Sequence, residues 1–399
     1  FDPLLLLGQN NICHLCVVRR ELVDEAGGFR EGYEGSQDWD LLLRVTERLA
    51  PGQVVHVPHI LYHWRTHLGS TASSLGAKPY AAGAGWRAVR DHLERRAIDA
   101  TARPVPGLGW NRIDWAVPEP APLVSLVVRA GGAGTGDEGR WLERCLQSIW
   151  RRTSYAGYEI VVVAGPETGA EARRFLDGQA GRLQVVEAGS SPGLAAGQNE
   201  GAARTTGAVL CFLDGATEVR SPDWLEVLVG QLLRPATGVV GAKLYDDRGR
   251  VRHAGLVLGL GGVAGPVHRG LDSLDIGYWG RAALPRALSA VGGGCLAVRR
   301  EAFDQAGGFD DGHLSADDAD VDLCLRLAEA GWATVWTPYA ELVRHGPAAE
   351  SPAHPEAARY MAERWGGRLE RDPAYNPNLS LARPDFSPAE PPRVRLPGR

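Results

Sequence analysis

Residues 17–29, Val-Val-Arg-Arg-Glu-Leu-Val-Asp-Glu-Ala-Gly-Gly-Phe, return at residues 297–309 as Ala-Val-Arg-Arg-Glu-Ala-Phe-Asp-Gln-Ala-Gly-Gly-Phe, 280 positions later. Asp38-Trp39-Asp40-Leu41-Leu42-Leu43-Arg44 then matches Asp320-Val321-Asp322-Leu323-Cys324-Leu325-Arg326, offset by 282. Both copies continue through a helical segment, a short β-branched strand and a proline to His63 and His345. Self-similarity this long and ordered implies two related domains. The second copy is preceded by α/β pattern from near Pro122, whereas only sixteen residues precede the first. The expectation is therefore the C-terminal part of a longer protein, whose first domain begins roughly 160 residues before Phe1.

Composition narrows the function classes. With 44% hydrophobic and 23% charged residues the chain is globular. A net charge of −5 without a Lys/Arg stripe argues against a nucleic-acid partner. No apolar run approaches the roughly 18–20 residues of a membrane span; residues 254–265 are apolar but rich in glycine. Six scattered cysteines, with Cys211, Cys295 and Cys324 inside apolar runs, suit buried thiols in a reducing, cytoplasmic setting.

From Pro122 strand and helix alternate. Residues 123–128, 159–163, 183–187 and 208–213 read as buried strands, and 138–152 and 193–204 as helices, the first carrying Trp141, Leu142, Cys145, Leu146, Ile149 and Trp150 on one face. This order predicts an α/β fold with a mostly parallel sheet flanked by helices. Ligands of such sheets bind outside the carboxyl ends of the strands, here after Val128, Val163 and Leu213. The predicted organisation is 1–75, the C-terminal half of a first domain; 76–121, a helix near 78–96 and a Pro/Trp-rich linker; 122–348, a complete domain; and 349–399, a Pro-rich tail with a short helix at 356–365.

Several constellations carry chemistry. The glycines at 131–136 follow the first strand but lack GxGxxG spacing, and the second strand ends in Ala164 instead of a ribose-binding acid, so a plain loop is favoured. Cys13-His14-Leu15-Cys16 has no second pair to complete a zinc site. Asp214 ends the fourth strand, where a carboxylate can hold a divalent cation against a diphosphate; a turn-forming aspartate is the competing reading. Asp317, Asp318, Asp320 and Asp322 crowd a helix start, where the dipole favours acids. Their mutual repulsion would raise one pKa and suit a general base. Tyr278 and Trp279 offer rings that stack on a sugar or pack in the core.

Gly241-Ala242-Lys243-Leu244, the run from Arg252 to Gly262, Cys295-Leu296-Ala297-Val298-Arg299-Arg300, Gly307-Gly308-Phe309-Asp310 and the Asp320–Arg326 segment together resemble glycosyltransferase family 2, of the bacterial polysaccharide-assembly type with a GT-A fold. In the first copy Glu34-Gly35-Ser36-Gln37-Asp38-Trp39-Asp40-Leu41 and Tyr62-His63-Trp64-Arg65 are equally similar. The resemblance implies inverting transfer of a sugar from a nucleotide-diphosphate donor to a growing cell-surface or lipid-linked glycan, with a divalent metal (Mn or Mg) and at most peripheral membrane contact. It implies that Asp320 is the base, with Asp38 its first-copy counterpart; that Asp214, His345 and, in the first copy, His63 serve the metal; and that Asn199, with Asp214, lines the donor site.

The departures fall at the strand ends. Ala164 replaces the base-reading acid, Ala216 the metal-binding aspartate of the Asp214-Gly215-Ala216 motif, Arg129-Ala130 the usual Pro-Thr, and Ala319 an acid or amide before the presumed base. Each reads as a loss of donor-site polarity, one charge-assisted ligand being worth about 1.5–3 kcal/mol. Two functions follow: a transferase with altered ligation through Asp214, Glu218 or His345, or a degenerate second copy that binds glycan or partner while the first copy, with Asp38 and His63, does the chemistry. A hydrolase using Asp214 and Asp320 as an acid pair has only the two carboxylates in its favour.

Overall fold

Runs of β-branched and apolar residues form the central sheet of the chain. The computed structural model describes all residues except 13–14, 51, 64–78, 132–136, 190–193, 315, 348–354 and 395–399. Two compact units are present, one formed chiefly by Phe1–Ala116, the other by Val117–Ala283 and Ala287–Arg393. Their strands, in chain order, are β1 (Ala100–Val105), β2 (Trp110–Trp115), β3 (Val124–Ala130), β4 (Tyr158–Ala164), β5 (Gln184–Glu187), β6 (Val209–Asp214), β7 (Thr217–Val219), β8 (Thr237–Tyr245), β9 (Val251–His253), β10 (Leu256–Leu258), β11 (Ala264–Pro266), β12 (Arg286–Leu288), β13 (Cys295–Arg299) and β14 (Ala333–Arg344). The helices are α1 (Pro3–Gly8), α2 (Arg20–Glu25), α3 (Gln37–Thr46), α4 (Pro79–Arg95), α5 (Glu138–Arg152), α6 (Ala170–Asp177), α7 (Leu194–Ala203), α8 (Trp224–Leu232), α9 (Arg300–Ala306), α10 (Ala316–Glu329) and α11 (Pro355–Glu370).

The second unit holds a sheet ordered β12-β14-β8-β13-β6-β3-β4-β5, with β7 on β14 and β9 on β8. Strands β6, β3, β4 and β5 are parallel, β13 runs antiparallel between β6 and β8, and β14 is parallel to β8. This is the expected α/β architecture, a mostly parallel sheet flanked by helices. From β3 the chain moves outward to β4 and β5, then returns to the other side of β3 as β6. The order therefore reverses between β3 and β6, the switch point outside whose carboxyl ends a crevice for ligands is expected in sheets of this kind. The inner strands are buried on both faces, as continuous apolar runs such as Val-Leu-Cys-Phe-Leu in β6 require, whereas β5, expected to be buried, lies at the sheet edge and is largely exposed. Cys211, Cys295 and Cys324 are buried free thiols.

The C-terminal helix is longer than the sequence pattern suggested and belongs to the core. Met361, Trp365 and Leu369 of α11 join the main cluster with Phe212, Phe303 and Phe309. Trp365 Nε1 also donates to the buried Asp322 carboxylate at 2.9 Å. Proline content after residue 347 thus marks the ends of this helix and not the end of the fold.

In the first unit Asp2 caps α1, its Oδ1 accepting from the Leu4 and Leu5 N–H groups, and Pro3 fits the first turn because that position needs no donor. Leu6, Leu7, Trp39, Leu43, Val89, Leu93 and Ile113 form its core. The segment read as a linker contains a hairpin. β1 and β2 pair antiparallel from Ala100–Trp115 to Val105–Trp110, and Gly107 and Gly109 take the positive φ of the turn. The prolines obscured this in the sequence, although Trp110 and Ile113 are both buried.

The repeat recurs as local geometry within each unit. Arg326 Nε bonds Asp322 at 2.6 Å, while its terminal nitrogens bond the carbonyls of Ala306 at 2.5 Å and Gly308 at 2.8 Å. Arg44 likewise bonds Asp40 at 3.0 Å, the Ala26 carbonyl, and the Gly28 carbonyl at 2.7 Å. In both copies the two glycines have positive φ, a turn that brings the carbonyls of the preceding alanine and of the second glycine to the guanidinium. Burial differs sharply. Phe309 is 2% exposed, in edge contact with Phe212 of β6 at 4.8 Å, whereas its counterpart Phe29 is 67% exposed. Among the described residues of the first unit the only strands are β1 and β2, so nothing equivalent to β6 covers Phe29 there. Phe29→Ala is accordingly expected to change stability by no more than about 0.5 kcal/mol in chemical denaturation, as for an ordinary surface position.

Candidate functional site

The reversal of strand order places two residues side by side. Arg129, next to last in β3, is the register partner of Asp214, the last residue of β6. Its Nη2 lies 2.7 Å from Asp214 Oδ2, and Arg344, last in β14, donates to the same oxygen from Nη2 at 2.7 Å and Nε at 3.3 Å. Asp214 Oδ1 accepts the Ala216 N–H at 2.9 Å, and its backbone carbonyl accepts from the Thr217 hydroxyl at 2.5 Å, which fixes the turn into β7. A side chain at Gly215 would meet the Arg129 carbonyl, so this turn requires glycine. Burial pushes the Asp214 carboxyl up, but Arg129 and Arg344 outweigh it and hold its pKa at about 2. The carboxylate is ionised and fully engaged.

His345 follows directly on Arg344. Its backbone N–H reaches the Ala216 carbonyl at 2.8 Å. Its ring spans two carboxylates, with Nε2 3.0 Å from Glu218 and Nδ1 2.5 Å from Asp247. Glu218 is also paired with Arg152 at 3.1 Å. Asp247 belongs to the turn between β8 and β9, on the wall of a cleft of about 380 Å³ lined by Arg248, Arg252, Arg269, Gly346 and Pro347 among others. Arg252 is half-buried and anchored on the carbonyls of Arg344 (3.1 Å), Gly346 (2.6 Å) and Pro347 (2.5 Å). Burial and the neighbouring Arg344 lower its pKa to about 10, which still leaves it charged at neutral pH.

Asp320 enters from the second turn of α10. Its Oδ2 accepts the Gly293 N–H at 2.6 Å, and a side chain at Gly293 would collide with that carboxylate. The next residue, Gly294, receives the Asp214 backbone N–H on its carbonyl at 3.3 Å. The short glycine loop before β13 therefore links Asp320 and Asp214. Asp322, two residues on, faces the core with Arg326 and Trp365, a structural role.

The remaining expected residues lie elsewhere. Asn199 on α7 is committed to the turn after α9: its amide nitrogen donates to the Phe309 carbonyl at 2.9 Å and its oxygen accepts the Phe309 N–H at 2.9 Å. In the first unit Asp38 is exposed at the start of α3, accepting from Asn10 at 3.0 Å, and His63 is exposed. Tyr278 stacks on Phe386 (4.9 Å, 8°), while Trp279 is 61% exposed in a left-handed backbone conformation, φ 49°. Cys13, His14 and residues 132–136 of the glycine cluster lie outside the described residues.

A family profile described as "Glycosyltransferase like family 2" matches residues 122–367, more than half of the chain. The chain belongs to this glycosyltransferase family. The match runs through most of α11, consistent with that helix being part of the core. An uncharacterized protein, y4gI, of Sinorhizobium fredii (strain NBRC 101917 / NGR234) is 39% identical over 396 residues, covering 96% of this chain and 43% of its own length. The O-antigen biosynthesis protein RfbC of Myxococcus xanthus is 34% identical over 399 residues, covering 96% of this chain and 30% of its own. The chain thus spans less than half the length of these relatives. Among solved structures, GalNAc-T7 with UDP, GalNAc and Mn²⁺ is similar at TM-score 0.49 and 18% identity, covering 62% of this chain and 49% of that one. Among the described residues no helix is long and apolar enough to cross a membrane.

The resemblance to this family implies a divalent cation, and the donor set at the strand ends does not fit one. Ala216 has no side-chain oxygen, both Asp214 oxygens are occupied, and two guanidiniums face one carboxylate, a field that repels cations. Among the described residues no group of three or more His, Cys, Asp and Glu side chains is placed to hold a metal ion. Arg344 and Asp247 were not singled out from the sequence, and Arg252 only as the start of a family segment; Arg129 was, but as a loss of polarity, whereas it brings a charge to Asp214.

Proposed function

We propose that the domain beginning at residue 122 transfers a sugar from a nucleotide-diphosphate donor, with inversion, to a growing cell-surface or lipid-linked glycan. Asp320 takes the proton from the attacking acceptor hydroxyl. The observation that carries this reading is the placement of Asp320: its carboxylate sits on Gly293, one residue from the contact of Gly294 with Asp214 at the carboxyl end of β6. Family membership supports the reaction class, and the O-antigen biosynthesis named for the RfbC relative supports the kind of acceptor. Residues 1–75 are taken as a second copy of the C-terminal part of the same domain, and action at the cytoplasmic face, with peripheral membrane contact through the acceptor, belongs to the same reading.

Deprotonation strengthens the acceptor oxygen as a nucleophile at the anomeric carbon, opposite the departing diphosphate. The crevice arginines oppose the charge that develops on the leaving group. A second reading, a non-catalytic glycan- or partner-binding domain, is favoured by the engagement of Asp214 by two arginines and by Ala216 and Ala164. The deciding experiment incubates the whole chain with labelled UDP-, GDP- and dTDP-sugars and a lipid-linked glycan extract. Label entering the glycan supports transfer. Glycan binding by a folded chain, with no transfer and no nucleotide release from any donor, establishes the second reading instead.

A further inference from the structure

The crevice carries an excess of positive charge where carboxylates were expected. Arg129 and Arg344 meet at Asp214, and Arg252, anchored on the Arg344 carbonyl, lines the adjoining cleft with Arg269; against Asp214, Asp247 and Asp320 this leaves one positive charge in excess, the cleft's Arg248 and Asp246 cancelling. Glu218 does not alter this balance, because Arg152 pairs with it. A nucleotide-diphosphate sugar carries two negative charges on its pyrophosphate, so charge and ligand match in sign. Guanidiniums suit the task, presenting planar pairs of donors to phosphate oxygens. Three of the four are already held: Arg129 and Arg344 by Asp214, and Arg252 by three carbonyls, so little side-chain freedom remains to be lost on binding.

We propose that this site binds the diphosphate of its ligand through arginine side chains, with Arg252 and Arg269 of the cleft making the direct contacts and Arg129 and Arg344 supplying the field, without a divalent cation. Asp214 then acts as a positioning residue that holds Arg129 and Arg344 at the strand ends. The proposal rests on the nucleotide-sugar reading above, and its test separates the two.

Binding of UDP, GDP, dTDP and inorganic pyrophosphate to the whole chain is measured by calorimetry in EDTA and again with Mn²⁺. At least one nucleoside diphosphate is expected to bind in EDTA with affinity unchanged by Mn²⁺, in competition with pyrophosphate, and more weakly as salt rises. Arg252→Gln and Arg269→Gln are each expected to weaken binding about tenfold to a hundredfold. Arg269 is exposed and lies outside the carbonyl network that anchors Arg252, so its variant keeps the test valid should Arg252→Gln unfold. Binding that requires Mn²⁺ overturns this proposal and leaves the transferase reading standing. Metal-free binding without sugar transfer keeps the proposal and overturns that reading. No binding under either condition by a folded chain overturns both, and full affinity in Arg269→Gln overturns the assignment of the contacts.

Discussion

Asp214→Ala is expected to destabilise the second unit by about 3–5 kcal/mol, because it strips the counter-charge from two largely buried guanidiniums at once. The cost lies less in the lost attraction than in what remains: Arg129 and Arg344 stay side by side in a low-dielectric crevice with only each other and Arg252 nearby. The pH dependence follows from the same contacts. The folded pKa of Asp214, about 2, lies below its ordinary 3.8, so the unfolded chain binds the proton more readily. The resulting stabilisation is complete above the ordinary value and lost as pH falls through the folded value. A shift of this size corresponds to about 2.5 kcal/mol. Denaturant titrations of the parent and Asp214→Ala should therefore differ most at neutral pH, and the gap should narrow by about that amount between roughly pH 4 and pH 2. An equal gap across that range would mean that Asp214 is not held ionised by its arginines.

The architecture was legible because local pattern and tertiary packing agree. The runs read as strands at 123–128, 159–163, 183–187 and 208–213 correspond to β3, β4, β5 and β6 with ends displaced by at most two residues, and the helix at 138–152 is α5. In β3, β4, β6 and α5 an unbroken apolar run or one apolar helix face is the signal, and burial in the sheet is its consequence; β5, with only Val185 and Val186, lies largely exposed at the edge. The hairpin of β1 and β2 was hidden because Pro104 and Pro106 read as linker chemistry, although Pro104 tolerates an edge strand that donates nothing at that position. The full α11 was hidden because its anchor, Trp365 on Asp322, joins residues 43 positions apart.

The site was legible as a place more than as a mechanism. Asp214, Ala216, His345 and Asp320 do converge, since strand ends and the start of α10 are positions that topology fixes. Their partners are long-range and could not be read from spacing. Arg344 reaches Asp214 across 130 positions and Asp247 reaches His345 across 98. Arg129 shows the limit most clearly. Against the family pattern it reads as a missing polar pair, and only register with Asp214 makes it a charge-bearing member of the crevice. Asn199 shows the reverse, a residue expected at the donor site whose two amide ends are both spent on Phe309.

Asp320→Asn is expected to lower the turnover of sugar transfer by about 10²–10⁴-fold while leaving donor binding and the fold intact. The amide is isosteric and retains an oxygen for the Gly293 N–H, so the contact at 2.6 Å can persist. What it lacks is the lone pair basic enough to take the acceptor's proton, so the loss should fall on turnover and not on donor affinity. Asp322→Asn is the necessary contrast. It sits two residues away, but its carboxylate is committed to Arg326 and Trp365, so its effect should appear in the denaturation curve of the second unit. Asp38→Asn separates the two copies. If transfer survives Asp320→Asn and disappears with Asp38→Asn, the chemistry belongs to the first copy, and the crevice at Asp214 serves to bind and not to catalyse. Loss with Asp320→Asn alone, in a folded chain that still binds nucleotide, places the base on α10.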